Sequence, residues 1–421
     1  MAAADLSPDL QTTCRHCAAP LTRRLVDLGV HPLCQRHVTP DNFYDAEPTY
    51  PLIAWVCDAC RLIQLADHVA PDEIFNDDYA YFSSFSTSWL EHARRYAADM
   101  TRRYGLTGGS LVMEAASNDG YLLRHFAEAG IPVHGIEPAG NTAAAAERVG
   151  VPTTVAFLGR DTSAEIVNRV GRADLIAANN VIGHTPDLNG FVAGLATLCK
   201  PSGVVTVEIP HVLNLLAGNQ FDTIYHEHWQ YYFFTTLCKV LRTGGLRVFD
   251  VEELPTHGGS LRVHSTPVDT GDEHQATAAV EALKRREVEF GIDDPQMYAT
   301  FGQRVRETKR KLLAFLIEKN RQGKTVVAYG APGKGNTLLN YCGIGPDMVR
   351  FTVDRSPHKQ GNFLPGSRIP ILAPEAIDEA RPDYVLILPW NLKDEIRAQM
   401  TQVEGWGGKF VVPIPETTVL E

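Results

Sequence analysis

Four consecutive residues, Tyr225-His226-Glu227-His228, concentrate more proton-handling chemistry than any other short stretch of the chain. A general base working near neutral pH needs a pKa near that pH, and histidine starts closest. A neighbouring carboxylate can hold an imidazole and raise its basicity. Trp229 and the pair Tyr231-Tyr232 follow at once and can shield a reacting centre from water. In an extended strand Tyr225 and Glu227 would share one face and His226 and His228 the other. A common site for Tyr225, Glu227 and His228 therefore requires a turn, with His226 pointing away. Read alone, the segment also fits a solvent-facing loop that carries histidines.

Cysteine supplies the second chemistry. Cys14-Arg15-His16-Cys17 and Cys57-Asp58-Ala59-Cys60 are two Cys-x-x-Cys pairs. Each pair can place two thiolates on one metal, and together they make the tetrahedral sulfur set of structural zinc. Four thiolates leave no open position for a substrate, so Cys14, Cys17, Cys57 and Cys60 are expected to be structural ligands. Cys34, His16 and His37 are alternative ligands. The long stretch between the pairs is tolerable because loop closure penalises length only logarithmically.

The elements that must position these groups are legible as a repeated strand–helix rhythm. At 421 residues, with 44% hydrophobic and 21% charged residues, the chain reads as globular with two or three domains. A net charge of −11 argues against broad binding to a phosphate backbone. No apolar run is long enough to cross a bilayer. The segment Met1 to Leu10 lacks the pattern of a secretory signal, so a cytoplasmic location is expected. Short apolar runs at Leu111–Ser117, Val133–Glu137, Val151–Phe157, Ala173–Asn179 and Val204–Ile209 alternate with helical patterns. This is the βαβ rhythm of a doubly wound parallel sheet, whose ligands bind at the carboxyl ends of the strands.

The first turn, Glu114-Ala115-Ala116-Ser117-Asn118-Asp119-Gly120, has the spacing of an acidic-glycine loop, with Ala116 and Asn118 where glycines are usual. Small or left-handed-tolerant residues there let the backbone approach a cofactor. Glu137 ends the second strand and can accept hydrogen bonds from ribose hydroxyls. Pro138 can lie against an adenine. The loop lacks a full Gly-x-Gly-x-x-Gly, which favours S-adenosylmethionine, without a pyrophosphate, over NAD.

Asp272 to Arg321 reads as a helical spacer. Thr325 to Asn336 then runs from a buried strand into the turn Gly330-Ala331-Pro332-Gly333-Lys334-Gly335-Asn336 and a helix. Backbone N–H groups at a helix start, with Lys334, favour an anion. The spacing is not that of a Walker loop. Asp354 ends the next strand and opens a polar loop that can also meet a phosphate. Strands at Tyr384–Leu388 and Phe410–Pro413 complete a second, smaller α/β unit.

These segments, in this order, resemble the three-domain S-adenosylmethionine-dependent sugar C-methyltransferases, including the tetronitrose-pathway 3-C-methyltransferase type. The markers are the two Cys-x-x-Cys pairs, the 116–120 loop, Asn180 to His184, Tyr225 to His228, His257-Gly258-Gly259-Ser260, and Tyr329 to Asn336. They span essentially the whole chain. The resemblance implies a zinc-binding domain over 1–74, a class I methyltransferase domain with a Rossmann-like sheet over 75–270, and a C-terminal Rossmann-like α/β domain over 271–421. It implies C-methylation of a nucleotide-linked 4-keto-deoxysugar through an enolate, at C3 or C5, with C3 favoured. It implies His228 as the base, with Tyr225 and Glu227 lining the site and His184 near the ketone. Tyr79, in Asp78-Tyr79-Ala80-Tyr81, would cover the sugar. Glu114, Ala116, Asn118, Gly120, Glu137, Pro138, Asn179 and Asn180 would hold S-adenosylmethionine. Lys334, Asn336, Ser260 and Asp354 would hold the sugar nucleotide. A monomer with a small-molecule partner, neither nucleic acid nor membrane, is expected. The competing readings are a nicotinamide-dependent sugar oxidoreductase and a non-catalytic zinc and α/β scaffold.

Overall fold

The computed structural model describes residues 13–77, 79–269 and 274–421, so the Met1 to Leu10 reading, Asp78 and the 270/271 boundary lie outside it. Three sheets organise the described residues. The first is antiparallel and runs Arg23–His31, Tyr50–Val56, Ile63–Leu65 and Gln230–Tyr231. Its fourth strand comes from the middle of the chain, pairing Ile63 with Tyr231 and Gln64 with Gln230. The cysteine-rich region is thus stitched directly to the segment that follows Tyr225–His228.

The second sheet has seven strands, in the order Leu246–Leu254, Ser260–Pro267, Cys199–Pro210, Ala173–Asn179, Val112–Ala115, Val133–Glu137 and Thr153–Val155. The last five are mutually parallel. Ser260–Pro267 inserts antiparallel between its two neighbours. Val112–Ala115 is buried at every position, which is why it reads as a continuous apolar run rather than an alternating one. This is the methyltransferase-type sheet expected from the sequence.

The helix Thr87–Tyr104 covers one face. Ser86 caps its start by accepting from the Trp89 N–H, and Gly105 closes it in the left-handed conformation at φ 60°. Two further helices, Ala278–Phe290 and Pro295–Arg321, form the expected spacer. The longer one buries Tyr298, Phe301, Val305, Thr308, Leu312 and Leu316, a stripe at helical spacing.

The third sheet runs Ile371–Leu372, Thr352–Val353, Val326–Tyr329, Tyr384–Ile387, Lys409–Val412 and Thr418–Val419, parallel except for its last strand. A single apolar core joins the first sheet, the long helix and this third sheet, through residues such as Leu25, Leu52, Phe301, Leu338 and Leu386. No helix among the described residues is long and apolar enough to cross a membrane.

Candidate active site

The two cysteine pairs fold identically. Ala18 donates to the Cys14 carbonyl and Arg61 to the Cys57 carbonyl, each at 2.8 Å. Both donors adopt positive φ, 58° and 66°. Each turn therefore presents its two thiols together, and all four Sγ atoms lie within 4.8 Å of one another. Cys14–Cys60 and Cys17–Cys57 are both 3.6 Å apart. A tetrahedron with zinc–sulfur bonds of about 2.3 Å has edges of roughly 3.8 Å, so the set fits zinc. None of the alternative ligands joins it. His16 Nδ1 pairs with Asn189 Oδ1 at 3.0 Å, and Cys34 lies against Glu227. The four cysteines are a structural zinc site.

Tyr225 to His228 is a turn rather than an extended strand. The His228 N–H donates to the Tyr225 carbonyl at 2.9 Å. The turn brings the Tyr225 and His228 rings to 4.0 Å between centroids. His226 points away, with Nε2 3.2 Å from the Pro51 carbonyl in the first sheet. His184 stands edge-on to His228 at 4.6 Å. Gln230 fixes the His184 turn by donating to the Ile182 and Thr185 carbonyls at 3.1 and 2.6 Å.

One expectation needs correction. The group that orients His228 is a backbone carbonyl, not a carboxylate. His228 Nδ1 lies 2.9 Å from the Thr223 carbonyl oxygen. A carbonyl only accepts, so Nδ1 carries the hydrogen and Nε2 keeps its lone pair. Burial holds His228 well below the usual histidine range, and His184 and Lys334 press it further the same way. The ring is therefore neutral at physiological pH.

Glu227 serves elsewhere. Cys34 Sγ donates to Oε1 at 3.3 Å and the Tyr79 hydroxyl to Oε2 at 3.5 Å. Burial pushes the Glu227 carboxyl up to about 7, with the Cys34 thiol, Lys359 and Tyr79 opposing. Gly333 closes this side, since a Cβ there would sit 3.0 Å from Cys34 Sγ and 3.4 Å from the Tyr225 ring. The glycine turn of the third sheet thus packs directly on the Tyr225–His228 segment.

At the cofactor end, Ala116, Asn118 and Asn180 adopt positive φ of 56°, 49° and 55°. Glu137 accepts from the Asn118 and Ala139 N–H groups at 2.8 and 3.0 Å, so one oxygen holds the loop and the other the start of the next helix. Gly120 stands at φ 78°, where a side chain is strained, and a Cβ there would also come within 3.2 Å of the Ala146 Cα. Burial raises the Glu114 carboxyl well above its usual range. Ser117 Oγ, Asp119 Oδ1, Asn179 Oδ1 and both side-chain polar atoms of Asn180 are buried without a protein hydrogen-bond partner. Such orphaned groups, gathered at the carboxyl ends of two adjacent parallel strands, fit the polar end of an amino-acid-bearing cofactor.

The covering segment is stapled to this loop. The Ser83 N–H donates to Asn118 Oδ1 at 2.9 Å, and Asn118 Nδ2 to the Tyr81 carbonyl at 3.1 Å. Asn141 Nδ2 donates to the Tyr79 carbonyl at 2.9 Å.

The expected sugar-nucleotide residues divide. Lys334 Nζ donates to Asn391 Oδ1 at 2.8 Å and lies 4.9 Å over the Trp390 ring. Asn336 is buried with Oδ1 unpartnered. Ser260 is a correction: it is 1% exposed, and its hydroxyl is spent on the Thr256 carbonyl at 2.9 Å. Asp354 is another. Its oxygens accept from the Ala331 and Ser356 N–H groups at 2.8 and 2.9 Å. Its carboxylate takes the N–H that a bound phosphate would need, which also weighs against a dinucleotide at this turn. Thr223 and Trp390 carried no motif in the sequence. Cys34 was visible only as an alternative metal ligand.

Three family models match successive parts of the chain. Residues 14–75 match a zinc binding domain, 89–251 a methyltransferase domain, and 255–415 a C-methyltransferase C-terminal domain. The C-methyltransferase NovU of Streptomyces niveus is 38% identical over 410 residues, 97% of this chain and 96% of that protein. A ubiquinone biosynthesis O-methyltransferase of Rhodopseudomonas palustris (strain BisB5) is 30% identical over 99 residues, 24% of this chain and 39% of that one. Among solved structures, a Burkholderia thailandensis 1,6-didemethyltoxoflavin-N1-methyltransferase covers 49% of this chain and 95% of its own, at 19% identity and a TM-score of 0.35. With near-complete mutual coverage of NovU, this chain belongs to the C-methyltransferase family and is an enzyme of that type.

Proposed function

We propose that this enzyme methylates a carbon beside the ketone, C3, of a nucleotide-linked 4-keto-deoxysugar, in deoxysugar biosynthesis, with S-adenosylmethionine as donor. The observation that carries the reading is geometric: His228 Nδ1–H is fixed on the Thr223 carbonyl at 2.9 Å. Such an imidazole presents one lone pair, at Nε2, in a known direction. A ketone acidifies the hydrogen on the adjacent carbon. His228 Nε2 takes that proton as the C–H bond breaks, and the electron pair passes into an enolate.

His184, held to about 4 by burial, is likewise neutral and can donate to the enolate oxygen from one ring nitrogen. Tyr225 lies tilted against the base, and Tyr79 and Glu227 close the site against water. S-adenosylmethionine supplies the methyl group that the enolate carbon accepts. The polar groups of Ser117, Asn179 and Asn180, with the backbone at Ala116 and Asn118, would hold it. Lys334 and Asn336 face the nucleotide side.

Incubation with methyl-labelled S-adenosylmethionine and a panel of nucleotidyl 4-ketosugars tests the proposal. Label should enter a carbon beside the ketone. A panel in which no member accepts label would overturn the substrate class.

A further inference from the structure

We infer that Asp222 and Trp390 are positioning residues: their hydrogen bond lets the C-terminal sheet hold the carbonyl that orients His228. This rests on the base role proposed above for His228. The Trp390 Nε1–H donates to Asp222 Oδ2 at 2.7 Å. Trp390 begins the short turn Trp390–Leu392 beyond the strand Tyr384–Ile387, whereas Asp222 belongs to the turn Phe221–Thr223 just before the Tyr225–His228 segment. The bond therefore crosses between units far apart in sequence.

Asp222 has no exposed surface, and its other oxygen has no hydrogen-bond partner. Burial of such a carboxylate is costly unless its geometry is used. The residue beside it, Thr223, supplies the carbonyl that receives His228 Nδ1–H. On the other side of Thr223, the Ile224 carbonyl accepts from the Thr337 hydroxyl at 3.0 Å. Thr337 lies on the helix Gly333–Cys342 of the same C-terminal unit. Both neighbours of Thr223 are thus tied to that unit, and the Tyr231 hydroxyl shares the Thr223 carbonyl at 3.3 Å.

The consequence is chemical. A neutral imidazole free to choose exchanges its hydrogen between the two nitrogens. A fixed carbonyl at Nδ1 selects one tautomer and leaves Nε2 as the only base. If the Phe221–Thr223 turn loosens, the carbonyl turns away and both tautomers become populated.

The test uses the full-length zinc-loaded protein and three variants, Trp390→Phe, Asp222→Leu and Asp222→Asn. Trp390→Phe keeps an aromatic ring and removes the donor. Asp222→Asn removes the charge that faces Lys334 but keeps an oxygen acceptor for the indole. Melting with and without S-adenosylhomocysteine selects variants that are folded. The first readout needs no substrate. Nitrogen NMR of histidine-labelled protein, with the His228 signals assigned by their loss in His228→Asn, reports the tautomer.

The parent should show hydrogen on Nδ1, Trp390→Phe and Asp222→Leu a mixture, and Asp222→Asn the parental state. The second readout is turnover. Trp390→Phe should lose about tenfold in kcat with KM changed less than about twofold, the scale of a misoriented catalytic group. Parental tautomer and kcat in Trp390→Phe would overturn the inference. So would an Asp222→Asn protein that behaves as Asp222→Leu, because the charge rather than the hydrogen bond would then matter. A tautomer shift as expected, in a parent enzyme that methylates no ketosugar, would support the positioning relation and count against the proposed substrate.

Discussion

At the scale of single residues, two groups with displaced pKa values divide the work. His228 is depressed by burial and neutral throughout the physiological range, whereas Glu227 is raised to about 7 by burial and changes charge there. The groups facing Glu227 are the Cys34 thiol, the hydroxyls of Tyr79, Tyr81 and Tyr225, and the Lys359 ammonium. The ionised carboxylate is the form to which Cys34 and Tyr79 donate. Activity that depends on this arrangement should rise through an inflection near pH 7 as Glu227 loses its proton. Profiles of kcat/KM against pH check this. Glu227→Gln should abolish the inflection, and Cys34→Ala, which withdraws a donor from the ionised form, should move it upward. An unchanged inflection in Glu227→Gln would assign it to another group. His228 makes a separate prediction. General-base catalysis contributes about 10²–10⁴-fold, so His228→Asn should lower kcat at least about a hundredfold. S-adenosylhomocysteine affinity, measured by calorimetry, should stay within about threefold, because in the proposed reaction the base meets the sugar rather than the cofactor. A variant retaining most of its turnover would remove His228 from the role.

At the scale of elements, the zinc knuckles matter to catalysis through one strand pairing. The strand Ile63–Leu65 leaves the second knuckle and pairs with Gln230–Tyr231, which leaves the Tyr225–His228 turn. Gln64 also donates to Cys14 Sγ at 3.2 Å, and Gln230 fixes the His184 turn. Loss of the metal should therefore reach the site as well as the fold. Cys57→Ala should lose bound zinc by metal analysis and melt at least ~5 °C lower, since ~2–4 °C accompanies each kcal/mol in domains of 150–250 residues. Its kcat should also fall. A metal-free protein with parental melting and kcat would mean that the sheet stands without the metal. A metal-free protein with reduced melting but parental kcat would confine the zinc to stability. A second element-level coupling runs through the covering segment. Asn118 binds Ser83 and Tyr81 with its side chain while its own N–H holds Glu137. Asn118→Ala keeps neither side-chain bond and forces a residue without left-handed preference to φ 49°. It should weaken binding of S-adenosylhomocysteine and raise KM for the proposed sugar-nucleotide substrate together; a change in only one constant would show that the loop and the cover act independently.

At the scale of the whole molecule, the legible and illegible parts separate by the range of the forces involved. The cysteine knuckles, the parallel strands and the spacer helices announce themselves because each depends on local spacing or periodicity, as at Cys14 and Cys17 or along Val112–Ala115. The carbonyl of Thr223, the thiol of Cys34 and the indole of Trp390 do not, because a backbone oxygen has no sequence signature and the other two gain their roles only from contacts across 193 and 168 positions. Ser260 and Asp354 misled for the converse reason: each sits in a motif, but its polar atoms are engaged by the fold itself. That last point yields a prediction about the two Rossmann-like units. The central loop leaves polar groups of Ser117, Asn179 and Asn180 unpartnered, whereas the C-terminal loop gives its Ala331 N–H to Asp354. A ligand that binds only the folded protein stabilises it by RT ln(1 + [L]/Kd), about 2.7 kcal/mol at a hundredfold excess over Kd. S-adenosylhomocysteine should therefore raise the melting temperature in step with the logarithm of its concentration, and NAD at the same concentrations should not. Asp354→Asn, which keeps an acceptor for Ala331, should leave both responses as they are. A shift with NAD alone would overturn the assignment of the cofactor-holding groups to the central loop.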